Sequence, residues 1–286
     1  MNNALPTFVK WAGGKSQLIE QYKNLFPKKF EKYFEPFLGS GAVFFFTKKN
    51  FNPKKVLLSD INKELIITFT VVRDKVEELI ESLKKRKKLH SKEYFYKVRK
   101  EKSKELSDVE IASRLIYLNK TCYNGLYRVN SKGEFNVPFG DYKNPAILDE
   151  KKLREAHKLL QNVKLKAIPF EKISNLIKKG DFIYLDPPYY PISKTSSFTS
   201  YTKDVFLEEK QKKLAEVFKK LNEKGCLVML SNSDHPFIRG LYKGFFIHLV
   251  KARRAISCIG KKRGKINEIV VTNYINKNLK DFIKTR

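Results

Sequence analysis

Cysteine and histidine are scarce in this chain of 286 residues, which contains three cysteines and four histidines. Cys122, Cys226 and Cys258 are far apart, and no Cys-x-x-Cys pair or Cys/His cluster occurs. The odd number and wide spacing exclude a disulfide framework, and the missing clusters exclude a zinc site of the usual spacing. We interpret the three residues as reduced packing cysteines, and we expect no metal cofactor.

Long apolar runs are also missing. No segment approaches the ~18 consecutive apolar residues of a membrane span, and the N-terminus lacks the basic and then apolar pattern of a secretory signal. Together with the reduced cysteines, these absences predict a soluble cytoplasmic protein without a membrane partner.

Acidic residues are few relative to basic ones. The chain has 30 Asp and Glu against 59 Lys and Arg, which gives a formal net charge of +29 and a pI near 9.8. A composition biased toward Lys, Asn and Ile would produce the same excess on a solvated surface. We favour a nucleic-acid partner, because 22 Phe and 14 Tyr supply stacking surfaces beside the charge.

Neither of the common phosphate-binding loops is complete. The segment Gly13–Ser16 ends like a P-loop, but the glycine required five positions before Gly14 is replaced by Val9. A second turn, Gly39–Gly41, lacks the third glycine of a dinucleotide fingerprint, because Phe44 occupies that position. A ligand with an adenosine group but no bound phosphate fits this turn better.

Short apolar segments alternate with helical patterns along much of the chain, which predicts an open α/β sheet. A first strand begins at Tyr33, and the other predicted strands are Val56–Ser59, Val163–Ile168, Phe182–Leu185, Cys226–Leu230, Phe246–Val250 and Ile269–Tyr274, the last two as a closing pair. Helical patterns cover residues 73–99, 108–119, 172–178 and 205–221.

Asp60 follows Gly41 by 19 residues and directly follows the strand Val56–Ser59. An acid about 20 residues past the glycine turn, at the end of the second strand, is the usual partner of ribose hydroxyls. The alternative is that Asp60 caps the helix that begins near Asn62, and the two roles are compatible.

Residues 71–159 form a predicted insert between two parts of the α/β domain, residues 1–70 and 160–286. The insert is helical and heavily charged, and its last part, residues 123–140, reads as a β-hairpin that turns at Ser131–Gly133. Its Arg and Asn side chains are of the types that bond to guanine and adenine edges in a major groove. The alternative is an ordinary surface hairpin.

The tetrapeptide Asp186-Pro187-Pro188-Tyr189 follows the apolar strand Phe182–Leu185, at the sheet edge where open α/β sheets bind ligands. Two prolines remove two backbone donors, so we expect the Asp186 carboxylate and the following carbonyls to be unpaired acceptors. Such a pocket suits a flat ligand with an exocyclic amino group. The alternative is a rigid turn that leaves a strand.

Five stretches in this order resemble the Dam-type DNA adenine-N6 methyltransferases of the D12 class, alpha group. They are residues 10–15, residues 34–41, residues 123–140, Asp186–Tyr189 with Phe198–Thr199, and Leu230–Asn232. Residues 127–131 and 264–266 are most similar to the GATC-methylating members.

This resemblance implies a Rossmann-like, S-adenosylmethionine-dependent methyltransferase domain with an inserted, mostly helical target-recognition domain that carries the hairpin. It implies donor binding by Trp11, Lys15, Glu35, Phe37, Gly39, Gly41, Asp60 and Asp186. It implies catalysis by Asp186, Pro187, Pro188 and Tyr189.

The resemblance also implies double-stranded DNA as the partner, with Lys10 and Arg128 reading guanines. The implied DNA contacts are Lys10, Tyr123, Asn124, Leu126, Arg128, Asn130, Pro138 and Tyr142. One position departs from the family, because Asp141 replaces the arginine that members carry after the Phe-Gly pair. A carboxylate there would repel the phosphate backbone.

We predict transfer of the methyl group of S-adenosylmethionine to N6 of an adenine flipped out of the duplex, with GATC as the target. Asp186 and the Pro187 carbonyl would accept the two N6 hydrogens, and Tyr189 would stack on the base. The alternatives are a cytosine-N4 or RNA adenine methyltransferase and a catalytically silent DNA-binding module. The hairpin favours duplex DNA, because the deep major groove of RNA excludes such readout.

We expect a monomer of bacterial or phage type that associates with the nucleoid, either alone or within a restriction-modification system. A Ser/Thr/Tyr-rich loop, residues 191–203, is predicted to form a flap over the site.

Overall fold

The computed structural model describes residues 4–191, 206–253 and 265–276. The predicted flap therefore lies outside the described residues apart from its first position, as do Phe198, Thr199, Cys258 and Gly264. Within the described ranges, no helix is long and apolar enough to cross a bilayer.

Seven strands form one sheet, and all seven predicted strands are confirmed. They are β1 (Lys32–Glu35), β2 (Lys55–Asp60), β3 (Val163–Ala167), β4 (Phe182–Leu185), β5 (Leu227–Ser233), β6 (Phe246–Arg253) and β7 (Lys265–Thr272). Their order is β3-β2-β1-β4-β5-β7-β6. The strands β1 to β5 are parallel to one another, whereas β7 is antiparallel to both β5 and β6. The sequence predicted the β6–β7 pair but not the position of β7 between β5 and β6.

Helices surround this sheet on both faces, which explains why its central strands β1, β4 and β5 are buried over almost their whole length. They are α1 (Ile19–Tyr22), α2 (Ala42–Phe51), α3 (Lys63–Asp74), α4 (Val76–Lys88), α5 (Lys92–Lys100), α6 (Asp108–Thr121), α7 (Glu150–Leu160), α8 (Glu208–Glu223) and α9 (Pro236–Leu241). The helix predicted over residues 172–178 is wrong in type and bounds, because the chain forms a 3₁₀-helix over Phe170–Leu176.

Two apolar cores flank the sheet. One is built under α8 and α9 around Phe218 and Ile183, and the other lies on the opposite face around Phe69. Leu79 of α4 and Phe95 of α5 belong to the second core, so the insert packs continuously with the sheet. The predicted boundary at residue 71 falls inside α3, and the division into two domains stays a prediction.

The predicted hairpin of the insert is present, but its paired region is short. Its antiparallel part is a single bridge between Val129 and Phe135, flanked by bonds from the Asn136 amide to the Arg128 carbonyl (3.0 Å) and from the Asn130 amide to the Glu134 carbonyl (2.9 Å). A second isolated bridge joins Cys122 and Phe139. The ladder is shorter than predicted, since residues 123–125 form a 3₁₀ turn and Pro138 has no amide hydrogen.

The sheet topology places a ligand crevice between β1 and β4. From β1 the chain adds β2 and β3 on one side, and it then crosses to the other side of β1 to form β4. The direction in which strands are added therefore reverses between β1 and β4. Open α/β sheets bind ligands beyond the carboxyl ends of the strands at such a reversal. Glu35 and Asp60 are the last residues of β1 and β2, and Asp186 directly follows β4.

Candidate active site

Asp186 is held by a buried cation and a hydroxyl at the end of β4. Lys15 Nζ lies 2.8 Å from Asp186 Oδ1, and their side chains are 3% and 18% exposed. The Ser231 hydroxyl donates to the same oxygen at 3.1 Å and hydrogen-bonds the Tyr184 hydroxyl at 2.6 Å. Burial raises the pKa of Asp186, while Lys15 and Ser231 act in the opposite direction.

The expectation of unpaired acceptors in this tetrapeptide is wrong for two groups. The Asp186 carboxylate is paired with Lys15 and Ser231, and the Pro188 carbonyl accepts a bond from Gln211 Nε2 at 3.0 Å. Both sets of partners come from other elements, so sequence near the prolines carried no sign of them. Pro187 is buried, whereas Pro188 is exposed.

Tyr189 is oriented by two charged groups. Its hydroxyl donates to Glu268 Oε2 at 2.9 Å, and Lys15 Nζ lies 4.7 Å from the centre of its ring. Burial raises the pKa of Glu268. Glu268 comes from β7, opposite Ser233 of β5, and was not among the predicted site residues. The only local sign was a carboxylate directly before the apolar run Ile269–Val271.

Two further carboxylates lie at the ends of neighbouring strands. Glu35 is 2% exposed and accepts a 2.6 Å bond from the Tyr33 hydroxyl. Burial raises its pKa well above the ordinary value, and the nearby charge of Asp186 adds to the rise. Asp60 accepts from the amides of Gly39 (3.2 Å) and Asn62 (3.0 Å). The residue that caps α3 is Asn62, so the alternative interpretation of Asp60 as that cap is wrong.

The glycine turn after β1 approaches its neighbours closely. Gly39 and Gly41 have φ values of 49° and 70°, in the left-handed region that favours glycine. A Cβ on Gly39 would lie 3.0 Å from Trp11 Cδ1, and one on Gly41 would lie 3.1 Å from the Phe69 ring. Phe37, just before the turn, is half-buried, with its ring centre 5.3 Å from that of Phe170.

These residues fit an adenosine-containing cationic methyl donor. Asp60 offers acceptors for ribose hydroxyls, the glycine turn admits close approach, and Phe37 offers an apolar ring. Burial raises the pKa of Glu35 and of Asp186, and a positively charged group in the crevice would favour the ionised form of both. Among the described residues, no three His, Cys, Asp or Glu side chains are grouped as a metal site requires.

Most of the predicted DNA contacts lie on the insert, and Lys10 lies on the N-terminal segment before α1. Lys10 is exposed, and its Nζ lies 5.4 Å from the centre of the Tyr142 ring. Tyr123 is 49% exposed, and Asn124 and Pro138 are exposed beside it. Leu126 is half-buried.

Arg128 and Asn130 are both engaged within the hairpin. The exposed Arg128 donates from Nε to Asn136 Oδ1 at 2.7 Å, which holds its guanidinium along the facing chain. The Asn130 side chain accepts from the amides of Lys132 and Glu134, both at 3.0 Å, so it stabilises the turn. A base contact by Asn130 would compete with these bonds.

Trp11 joins the two groups of predicted residues. Its ring stacks on Tyr127 of the insert, with centres 5.1 Å apart, and it also borders the Gly39 turn. Trp11 therefore contacts both the glycine turn predicted to bind the donor and the segment predicted to contact DNA.

A seven-stranded, mostly parallel sheet with acidic residues at its reversal point defines a Rossmann-like α/β fold. The family profile described as D12 class N6 adenine-specific DNA methyltransferase matches residues 11–256. The chain belongs to this family, and it is an adenine-specific DNA methyltransferase.

Three relatives match over nearly their whole lengths. The chain is 46% identical to the type II methyltransferase M.MjaIII of Methanocaldococcus jannaschii, over 93% of this chain and 98% of that protein. It is 44% identical to the type II methyltransferase M1.LlaDCHI of Lactococcus lactis, over 95% and 96%. It is 36% identical to the DNA adenine methylase of Escherichia coli K12, over 92% and 93%.

Proposed function

We propose that the protein transfers a methyl group from S-adenosylmethionine to N6 of an adenine in duplex DNA, within GATC, after flipping the base out of the helix. The observation that carries this proposal is the Asp186 carboxylate, largely enclosed at the end of β4 between a Lys15 ammonium and a Ser231 hydroxyl. It stands beside two further acids, Glu35 and Asp60, at the ends of β1 and β2.

The donor pocket assigned here comprises the glycine turn and the three carboxylates. When bound, S-adenosylmethionine supplies an electrophilic methyl group. Asp60 would accept bonds from its ribose hydroxyls, and Phe37 would cover its adenine ring. Glu35 would place negative charge near the cationic part of the donor, and a positive ligand would offset the cost of burying this acid.

The N6 amino group of adenine is a poor nucleophile, because its lone pair is delocalised into the ring. The role of Asp186 is to localise this lone pair on the nitrogen. We assign Asp186 and the Pro187 carbonyl as acceptors of the two N6 hydrogens, so that the lone pair turns toward the methyl group. A new N6–C bond forms as the bond from sulfur to that carbon breaks, and Asp186 takes the N6 proton. Because Lys15 and Ser231 both bind Oδ1, the other oxygen, Oδ2, is the one that we assign to the substrate.

A base inside the duplex cannot reach this pocket, so we infer that it is flipped out. Tyr189 would stack on the flipped adenine, at a cost of a few kcal/mol for unstacking the duplex. Lys10 and Arg128 would read guanines, and the exposed Tyr123 would lie against the bases left behind. The similarity of residues 127–131 to GATC-methylating members supports GATC as the target. Asp141 replaces an arginine of those members, so we expect this protein to make one phosphate contact fewer.

The test is incubation with methyl-labelled S-adenosylmethionine and duplexes that differ from a GATC duplex at one base pair. We expect label on adenine N6 of GATC, with substitutions at either guanine lowering the rate strongly. Label on cytosine instead of adenine, or no label on any duplex, would overturn the proposal.

A matched pair of variants connects this activity to the site. Asp186→Asn should lose at least about a thousandfold in rate while it retains DNA binding, because a neutral amide can accept a hydrogen bond but cannot take the N6 proton. Asp181→Asn is the control, since Asp181 is a buried acid that precedes the same strand at the opposite edge of the sheet. It should leave the rate per folded molecule unchanged.

A further inference from the structure

Asn119 lies in the last turn of α6 and joins two segments that are distant in sequence. Its side chain is 1% exposed. Its Oδ1 accepts from the Lys10 amide at 2.7 Å, and its Nδ2 donates to the Lys10 carbonyl at 2.8 Å and to the Gly125 carbonyl at 3.0 Å. One buried amide thus holds both backbone groups of Lys10 and one end of the Tyr123–Gly125 turn.

The two segments held by Asn119 are in tight contact. Gly125 has a φ of 64°, and a Cβ there would lie 2.4 Å from Lys10 Cδ and 3.1 Å from Lys10 Cβ. On the other side, Lys10 Nζ lies over the ring of Tyr142. The Lys10 side chain therefore has little freedom near its backbone, and its direction depends on where Asn119 holds the main chain.

This bonding pattern requires a carboxamide of this length. It uses one acceptor and two donors, which a carboxylate cannot provide when ionised and an apolar side chain cannot provide at all. Each lost bond would leave a buried carbonyl or amide of Lys10 or Gly125 unsatisfied.

We propose that Asn119 is a positioning residue for base recognition. It fixes the position of Lys10 relative to the Tyr123–Leu126 segment. The inference rests on the proposed function, in which Lys10 and this segment contact DNA. Because Lys10 directly precedes Trp11 of the donor pocket, Asn119 also fixes the recognition surface relative to the site of methyl transfer.

Asn273 offers a matched control elsewhere in the protein. Its Oδ1 accepts from the Val228 amide at 2.8 Å, and its Nδ2 donates to the Cys226 carbonyl at 2.8 Å and to Asn222 Oδ1 at 2.9 Å. It again uses one acceptor and two donors, although one partner is a side chain and Asn273 is half-buried, and it lies beside the start of β5, at the edge of the sheet opposite the active site. A purely structural amide should behave like Asn273.

The experiment compares Asn119→Asp and Asn273→Asp. For each, we measure methyl-transfer kcat/KM on the preferred duplex and on duplexes with one changed base pair, together with Kd for S-adenosylmethionine. Asn119→Asp should lower discrimination at the guanine read by Lys10 about tenfold, since one good base contact is worth roughly that factor or more. Donor Kd should stay within about twofold, because Asn119 does not touch the donor pocket. Asn273→Asp should keep wild-type discrimination.

A pH series adds a second readout. The buried carboxyl group that Asn119→Asp introduces is neutral at lower pH and can then donate to one carbonyl again. Discrimination by Asn119→Asp should therefore recover in part as pH falls, relative to wild type at the same pH, in which Lys120, whose pKa burial lowers to about 8, also titrates. Equal discrimination by the two variants at every pH would overturn the proposal.

Hydrogen exchange tests the positioning without DNA. An apolar side chain removes the oxygen that accepts from the Lys10 amide, so in Asn119→Leu this amide should exchange faster than in wild type, whereas in Asn273→Leu it should be unchanged. Unchanged exchange of Lys10 in a folded Asn119→Leu protein would refute the role. If wild type itself fails to methylate any duplex, the proposed function fails, and the exchange result still decides whether Asn119 positions Lys10.

Discussion

The ammonium group of Lys15 lies 2.8 Å from the Asp186 carboxylate and 4.7 Å from the centre of the Tyr189 ring. One buried cation therefore contacts both the group assigned to the N6 hydrogens and the ring assigned to stack on the base. Lys15 can hold Asp186 ionised in a site where burial favours the neutral acid.

Lys15→Met should shift the pH dependence of methyl transfer. Burial raises the pKa of Asp186 and Lys15 lowers it, so removal of Lys15 raises this pKa further. Methyl transfer requires the ionised carboxylate, so the acidic limb of the pH–rate profile should move to higher pH. We expect kcat at saturating donor to fall about tenfold or more near pH 7 and to recover in part toward pH 9.

Lys32→Met is the control for this shift, because Lys32 lies 3.7 Å from Asp181 at the other end of β4. It should leave the pH profile unchanged. A loss in Lys15→Met that is the same at all pH values would show that Lys15 does not act through ionisation of Asp186.

Local sequence patterns predicted those residues of the candidate site that lie at the carboxyl ends of the strands. The glycine turn after β1, Asp60 after the apolar run of β2 and Asp186 after β4 follow from strand polarity alone, because parallel strands bring their carboxyl ends together. Lys15, in contrast, was assigned to the donor, and its bond to Asp186 depends on how the N-terminal segment folds over the crevice.

Glu268 and Asn119 could not be predicted for the same physical reason. Glu268 reaches Tyr189 only because β7 inserts antiparallel between β5 and β6, and strand order is set by long-range pairing that leaves no local periodicity. Asn119 belongs to an amphipathic helical pattern, and its partners Lys10 and Gly125 become neighbours only when α6 is packed.

Donor affinity should rise with pH because of Glu35. Burial is the main cause of its raised pKa, with the charge of Asp186 adding to it. A cationic ligand stabilises the ionised form, so binding lowers this pKa and releases a proton. By linkage, affinity for S-adenosylmethionine should increase as pH rises toward the pKa of the ligand-free protein.

Calorimetry in buffers of different ionisation enthalpy measures this proton release. S-adenosylhomocysteine, which lacks the sulfonium charge, should release fewer protons and show a flatter pH dependence. Glu35→Gln should abolish the difference between the two ligands. Equal proton release by both ligands in wild type would contradict the placement of Glu35 near the sulfonium.

Arg128→Ala should relax sequence discrimination at one guanine and leave the other positions unchanged. The Arg128 guanidinium is held to Asn136 at 2.7 Å, which preorders it for a bidentate base contact. We expect discrimination at that base pair to fall by about tenfold to a hundredfold in kcat/KM. Lys132→Ala at the exposed hairpin tip is the control, and it should weaken all duplexes equally or not at all. Uniform weakening by Arg128→Ala would instead identify a phosphate contact.

Glu268→Ala and Tyr189→Phe should lower methyl transfer by similar factors, and their combination should be no worse than either one. The Tyr189 hydroxyl donates to Glu268 at 2.9 Å, so each variant removes the same bond and frees the ring that we assign to the flipped base. We expect about a tenfold loss in kcat for each single variant.

Fluorescence of 2-aminopurine at the target position reports the base directly. If Tyr189 holds the flipped base, the signal of the bound duplex should change in both single variants and equally in the double variant. Asn267→Ala, at the exposed neighbouring position of β7, should leave rate and fluorescence unchanged. Multiplicative losses in the double variant would mean that Glu268 acts on catalysis by a route other than Tyr189, such as the charge that it places near Lys15.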